Sequence, residues 1–322
     1  MLLTLFTTLA LLTSYPQSSI AVVANDAGAA RLMASWLKPI DKQLIFCLTG
    51  PAYNIFKQQR KVIINNSLHE CLFSSKLLIS GSGWASNIEH NSRLMASELG
   101  IRSIAVLDHW INYNKRFELN GIVRHPDEIW VGDDEAESIA NIQFPMIKVI
   151  KLENKWINEL KSSVEQARKV LRKEEYLFTK GKPARNLLFL LEPLRDHSTG
   201  KPNHNEFKAL DYMLESLALL AKKKFIAPLD EIDSIRLRPH PSEKTDKYDN
   251  WIKKYRHLWP LKHDAEVSLE RSLALADATF GCETQALVAA LECNIPAFSC
   301  MPAEIGKCRL PHKDIKHIIN LE

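Results

Sequence analysis

Ala276-Asp-Ala-Thr-Phe-Gly-Cys-Glu-Thr-Gln-Ala-Leu-Val-Ala-Ala-Leu-Glu-Cys-Asn-Ile-Pro-Ala-Phe-Ser299 decides the fold of this chain. Ala278-Thr-Phe280 reads as the end of a buried strand, Gly281 as a tight turn, and Glu283-Thr284 as the start of a helix. Ala286, Leu287, Ala290 and Leu291 then share one apolar face at helical spacing. An apolar strand follows and ends at Ser299. Strand, turn, helix and strand in that order make a unit of a parallel α/β sheet. Ligands of such sheets bind at the carboxyl ends of the strands. Thr284 and its backbone N–H stand at the helix N-terminus, where the helix dipole favours an anion. The anion this predicts is a phosphate, and the ligand a nucleotide.

A second stretch belongs beside it. Ile235-Arg-Leu-Arg-Pro-His-Pro-Ser-Glu243 reads as a strand that ends in a basic, proline-stiffened turn. Alternation puts Arg236 and Arg238 on one face and Leu237 on the other. Pro239 and Pro241 fix their own φ and restrict the residue before each, so His240 is held in a defined turn. A histidine there can donate to a phosphate through one ring nitrogen while the other binds backbone. Arg238, His240, Ser242, Gly281, Glu283 and Thr284 are the nucleotide-binding candidates. Glu283 has two readings: an acceptor for sugar hydroxyls, as the acid of a dinucleotide fold is for ribose, or an acid stabilising its own helix dipole.

Working outward, apolar runs recur with helical stretches between them. Ile20-Ala-Val-Val-Ala24 suits a strand buried on both faces. Leu44–Cys47, Lys76–Ser80, Ser103–Asp108, Glu128–Gly132 and Met146–Ile150 follow as further strands. Glu153 to Glu175 is a long charged helix, and Lys180-Gly-Lys-Pro-Ala-Arg185 breaks the pattern. Asn186–Leu191 opens a second series, and Phe207 to Lys223 is an amphipathic helix. The expected organisation is an apolar segment at 1–18, one Rossmann-like domain at 19–180 and another at 181–322. The fold class is therefore α/β, with two such domains facing across a cleft.

The chemistry of the first half lies at strand ends. Asn25-Asp26-Ala-Gly28, Gly81-Ser82-Gly-Trp84 and Asp108-His109-Trp110 each follow a buried run. Asp108 is the leading candidate for a general base, with Asp26 and His109 as the other catalytic candidates. Asp26 also has a structural reading as a helix N-cap. Gly28, Ser82, Trp84, Trp110 and Tyr113 are acceptor-binding candidates. Trp110 and Tyr113 either stack on a sugar or belong to the core. Gly81-Ser-Gly83-Trp-Ala-Ser86 comes close to a dinucleotide fingerprint, but Ser86 stands where the third glycine should be. It is also not on the first strand.

Composition narrows the classes. The 322 residues carry a net charge of +4 and no basic run, which argues against nucleic acid. Eleven glycines leave no room for a glycine-rich Walker loop. The six cysteines include no CxxC pair, so a zinc ribbon is unexpected and a reducing cytoplasm fits them. Residues 1–15 are apolar, too short for an ordinary spanning helix and without a basic start. They read as a buried or membrane-grazing helix, which makes weak peripheral association at the inner membrane face the expectation.

His240-Pro241 and Thr284 in Gly281-Cys-Glu-Thr resemble the nucleotide-binding half of GT-B-type glycosyltransferases. The resemblance is to the bacterial sialyltransferase and capsule polymerase groups, and it covers roughly the last hundred residues. It implies a nucleotide-sugar donor held by a His-Pro pair and a Ser/Thr turn, with a CMP-sugar fitting best. The acceptor it implies is a glycan or lipid-linked glycan, such as a capsule or lipopolysaccharide precursor. No cofactor and no metal are implied, and Asp133-Asp134 is the nearest acidic pair to a metal-binding motif. The Asp/Glu-Asp/Glu-Gly motif of some of these enzymes is missing. A hydrolysing nucleotide-sugar epimerase and a non-catalytic binding protein of the same fold remain the alternatives.

Overall fold

The computed structural model describes residues 19–40, 43–59, 64–83, 86–171, 183–194 and 205–321. The apolar segment 1–18, Trp84 and the polar loop up to residue 204 lie outside them. The chain forms two compact units, Met1–Trp156 and Ile157–Glu322.

The first unit is built on strands β1 (Ile20–Ala24), β2 (Leu44–Leu48), β3 (Leu77–Ser80), β4 (Arg102–Leu107), β7 (Glu128–Val131) and β8 (Lys148–Lys151). A small hairpin, β5 (Glu118–Leu119) and β6 (Ile122–Val123), stands apart from them. The sheet order is β2-β1-β3-β4-β7-β8 and all pairings are parallel. Every residue of β1 is buried, as its unbroken apolar run requires of a central parallel strand. Its alternate residues feed two cores. Ile20, Val22 and Ala24 join Trp36 and Trp130, while Ala21 and Val23 join Cys71, Leu72 and Ala96. The helices are α1 (Ala27–Leu37), α2 (Gly50–Gln59), α3 (Leu68–Phe73), α4 (Ile88–Glu98) and α5 (Asp134–Gln143). Connections run to one side of β1 first and to the other side afterwards. The switch point, where open α/β sheets bind ligands, therefore lies between β1 and β3.

The second unit contains α6 (Lys155–Leu171), β9 (Asn186–Leu190), α7 (Asn205–Lys222), β10 (Ser234–Arg238), α8 (Asp249–Tyr255), β11 (Leu261–His263), α9 (Leu269–Ala274), β12 (Ala278–Gly281), α10 (Gln285–Glu292), β13 (Ala297–Ser299) and β14 (Lys316–His317). Its parallel sheet runs β11-β10-β9-β12-β13-β14. This is the dinucleotide-fold order 3-2-1-4-5-6, with the switch point between β9 and β12. Most of α6 belongs to this unit. It buries Ile157, Leu160 and Val164, and its Lys161 pairs with Glu292 at the end of α10 at 2.5 Å.

The long apolar runs became strands within a residue or two of their expected bounds. Several short elements carry no such run and were not anticipated: α2, α3, α8, α9, the β5–β6 hairpin, β11 and β14. No helix among the described residues is long and apolar enough to cross a membrane.

Candidate functional site

In the second unit, the C-terminal ends of β9, β10 and β12 carry the polar groups. Gly281 ends β12 close against β9, where a Cβ would stand 3.1 Å from the Leu190 carbonyl oxygen. Thr284 then caps α10, and its Oγ1 accepts the Ala286 N–H at 3.3 Å. A capping hydroxyl still has its own hydrogen to donate. The helix begins at Gln285, so Glu283 precedes it. Glu283 is buried and clamped by Arg309. Its Oε1 accepts the Arg309 backbone N–H at 2.6 Å and Nε–H at 3.0 Å, and its Oε2 accepts from Nη2 at 2.6 Å. The clamp ties the turn before α10 to the segment after β13. It is a fixed structural partnership that neither sequence reading of Glu283 contained.

The His240 turn is as tightly specified. His240 Nδ1 lies 2.7 Å from Ser242 Oγ and accepts the Ser242 N–H at 3.2 Å. A neutral ring with Nδ1 accepting carries its proton on Nε2, so that edge is a donor. The His240 N–H in turn donates to Glu243 Oε2 at 3.0 Å. Glu243 Oε1 is held by the Lys247 ammonium at 2.6 Å and the Tyr248 hydroxyl at 3.0 Å. Arg236 and Arg238 do share a face, as alternation predicted. They grip the two oxygens of Asp264, whose side chain is fully buried, at 2.7 and 2.8 Å. Arg238 Nη1 also reaches the Glu266 carbonyl and Ser272 Oγ.

One residue at this switch point was missed. Glu192 follows β9, and its Oε1 accepts the Glu283 backbone N–H. Burial first, then the nearby Glu283 carboxylate, push Glu192 up to about 8. A lone acid after an apolar strand gave no sequence signal; pairing β9 with β12 created its surroundings.

The first unit gathers carboxylates at its own switch point. Asp26 follows β1, and its Oδ1 accepts from the Asn25 side chain at 2.8 Å. It occupies the N-cap position of α1 but makes no side-chain cap bond, which corrects the capping reading. Glu89, in the first turn of α4, was also missed. It is 0% exposed and accepts the N–H of Asn25 at 2.8 Å and the N–H of Gly83. It thereby ties the loop after β1 to the loop after β3. Burial, followed by repulsion from Asp26, raises Glu89 to about 7. Asp108, after β4, is likewise pushed above the ordinary aspartate range by burial, against the pull of Arg116 and with the push of Asp26. Arg116 Nη1 stands 3.4 Å from Asp108 Oδ1 and 3.1 Å from the Ser82 carbonyl oxygen.

The remaining candidates have structural partners. His109 Nδ1 accepts the Trp110 N–H at 3.0 Å, which places the proton of the neutral ring on Nε2. The Trp110 indole N–H donates to Asp133 at 3.0 Å, and Asp133 caps α5 through the Ala136 N–H. Ser82 Oγ donates to the Val106 carbonyl at 2.8 Å. Gly28 is buried in the first turn of α1. Tyr113 stacks on Phe144 and is only 3% exposed, yet its hydroxyl has no hydrogen-bond partner among the described residues. For Trp110 and Tyr113 the core reading describes what they touch.

No family model matches the chain, and no curated protein matches it in sequence. Among solved structures it is similar to the UDP-GlcNAc 2-epimerase of Methanocaldococcus jannaschii, at 13% identity and a TM-score of 0.50 over 87% of this chain and 83% of that one. A Listeria monocytogenes protein assigned as a UDP-N-acetylglucosamine 2-epimerase gives 10% identity and a TM-score of 0.53 over 87% and 78% of the two chains. Identities this low speak for the fold alone. That fold is GT-B: two Rossmann-like domains, each around a six-stranded parallel sheet.

Proposed function

We propose that this chain transfers a sugar from a nucleotide-sugar donor, a CMP-sugar in the first instance, to a hydroxyl of a cell-surface glycan precursor. The observation that carries the reading is the construction of the His240 turn. Ser242 engages Nδ1 and Glu243 accepts from the backbone N–H, which fixes the imidazole at the end of β10, next to β9 at the switch point. Thr284 and the N-terminus of α10 stand at the other side of that switch point.

In this reading the second unit binds the donor's nucleoside phosphate. The bond from the sugar's anomeric carbon to the phosphate oxygen breaks, and negative charge grows on that oxygen. His240 Nε2–H, the Thr284 hydroxyl and the α10 dipole stabilise it. Asp108 takes the proton of the acceptor hydroxyl as the new glycosidic bond forms. Its raised proton affinity makes it a stronger base than an ordinary aspartate. The reading assigns no metal to these steps.

A second reading is favoured by a specific observation. Both solved structures named above carry the description of 2-epimerases acting on a UDP-sugar. The carboxylates Asp26, Glu89 and Asp108 are also groups that could exchange a proton at a sugar carbon. Thermal-shift titration with CMP-, UDP- and GDP-sugars selects the nucleotide, because a bound ligand stabilises the fold by mass action. The selected donor, labelled in its sugar, is then incubated with a mixture of glycan acceptors. Label appearing on an acceptor supports transfer. Label recovered only as a free 2-epimeric sugar replaces transfer by epimerisation, and no shift with any donor removes both.

A further inference from the structure

The segment after β4 is fixed from several sides. Arg116 Nε donates to the Ile111 carbonyl and Nη1 to the Ser82 carbonyl, both at 3.1 Å, and Arg93 Nη2 donates to the Arg116 carbonyl at 3.2 Å. Nearby polar side chains have partners: the Trp110 indole N–H has Asp133, and Ser82 Oγ has the Val106 carbonyl. The Tyr113 hydroxyl has none among the described residues, although it is buried. Its ring is held in place. It lies at 3° to the Phe144 ring, with centroids 6.3 Å apart, and Phe144 meets Phe117 edge-on at 5.3 Å. Arg116, Asp133 and Asp108 are within electrostatic reach of the phenol. Asp108 and Asp133 are only partly buried, so a ligand that enters beside them approaches the phenol.

We propose that the Tyr113 hydroxyl binds the acceptor sugar, donating to the hydroxyl oxygen next to the one that Asp108 deprotonates. This rests on the transfer reading above and adds a binding residue to it. Buried polar groups are as a rule hydrogen-bonded, and one left without a partner carries its full desolvation cost. A ligand oxygen that accepts from the phenol removes that cost on binding. The phenol and Asp108 do not bond each other, so a sugar with two adjacent hydroxyls can engage both. Donation to the reacting oxygen itself would hold the lone pair that attacks the donor. The neighbouring oxygen forms no new covalent bond, so a hydrogen bond there orients the sugar without opposing the reaction. The substrate class this selects is an acceptor with a second hydroxyl beside the reacting one.

Tyr113→Phe in the full-length protein tests this with two readouts of opposite sign. The thermal midpoint of the free protein should stay level or rise, by about 2 °C or more if the whole desolvation cost is relieved. A fall in the midpoint means that the hydroxyl is already bonded without ligand, and overturns the proposal. Transfer is then measured at saturating donor with an acceptor that the wild type uses. The variant should raise the acceptor KM by about three- to tenfold, one neutral hydrogen bond, and leave kcat within about twofold. A smaller rise in KM overturns the proposal and leaves the transfer reading standing, as does a larger loss in kcat. The wild type should show the same rise in KM with an acceptor analogue that lacks the hydroxyl beside the reacting one. Tyr113→Phe should lose nothing further with that analogue, and an added loss there places the hydrogen bond elsewhere and overturns the assignment. If the wild type transfers to no acceptor, the transfer reading itself fails, and this role for Tyr113 falls with it.

Discussion

Gly83 is open because Asp26 fills the space its side chain would take: a Cβ on Gly83 would stand 1.8 Å from Asp26 Oδ2. Gly81 stands in the same relation to Glu89, at 2.3 Å from Oε1. The Gly81-Ser-Gly83 run resembles a phosphate-binding fingerprint in sequence. In space these two glycines admit the chain's own carboxylates. A pyrophosphate at this loop would meet Asp26 and Glu89, and like charges at that range repel. Among the described residues, this loop presents carboxylates where a dinucleotide's pyrophosphate would lie.

The contact gives a direct test. Gly83→Ala should destabilise the protein by about 1–3 kcal/mol, the usual cost of overpacking. Asp26→Gly should cost little by itself, and the double variant Asp26→Gly/Gly83→Ala should recover most of the loss. Urea unfolding of the four proteins measures the coupling. Additive effects would mean that Asp26 is not what keeps position 83 bare.

The base assignment predicts both a rate and a pH profile. Asp108→Asn should lower the transfer rate at saturating donor by about a hundredfold or more, with the fold retained. Asp26 makes no cap bond, so Asp26→Asn has no cap to preserve. Its removal takes a negative charge away from Asp108, which lowers the proton affinity of Asp108. The acidic limb of kcat/KM should therefore move to lower pH in Asp26→Asn. An unmoved limb with full activity in Asp108→Asn would place the base elsewhere.

Stability should fall as pH rises from 7 to 8. Glu192 and Glu89 are raised in the folded state, to about 8 and about 7, so the folded protein binds protons that the unfolded chain has already released. Their favourable contribution is complete below the unfolded carboxylate range near pH 4.3 and is lost as pH climbs through the folded values. The slope is at most about 1.4 kcal/mol per pH unit for each proton. Below pH 6.5 the buried His90, lowered by desolvation, and the more exposed His125, lowered by partial desolvation, act in the opposite sense. Chemical unfolding at pH 7, 7.5 and 8 checks the sign, and Glu192→Gln should flatten the curve.

Arg309→Ala should destabilise the second unit by about 2 kcal/mol, because Glu283 would remain buried without its charged partner. Thr284→Val should cost about 1 kcal/mol through the lost cap of α10. His240→Ala should leave stability nearly unchanged and weaken nucleotide binding by about tenfold or more, one hydrogen bond to a charged group. Thermal melts set beside nucleotide titrations separate these outcomes. A His240→Ala variant with intact affinity would remove the phosphate role from the His-Pro turn.

The sequence by itself determined the two α/β series, because unbroken apolar runs such as Ile20–Ala24 and Asn186–Leu190 become buried parallel strands wherever helices cover both faces of a sheet. It also determined the His240 turn and the Thr284 helix start, because prolines, glycine and a capping hydroxyl act over a few neighbouring residues. It did not reveal Glu89 or Glu192. Glu89 is 64 residues from Asn25, the residue whose N–H it accepts, and Glu192 is 91 residues from Glu283. No local pattern marks an acid whose environment is assembled by distant strands. The same holds for Glu283, which stands at its expected place before the helix but is claimed by Arg309 from 26 residues away. Only the tertiary structure decided which carboxyls are buried together and which are paired, because desolvation and charge proximity depend on strand order, and strand order is set by packing across the whole sheet.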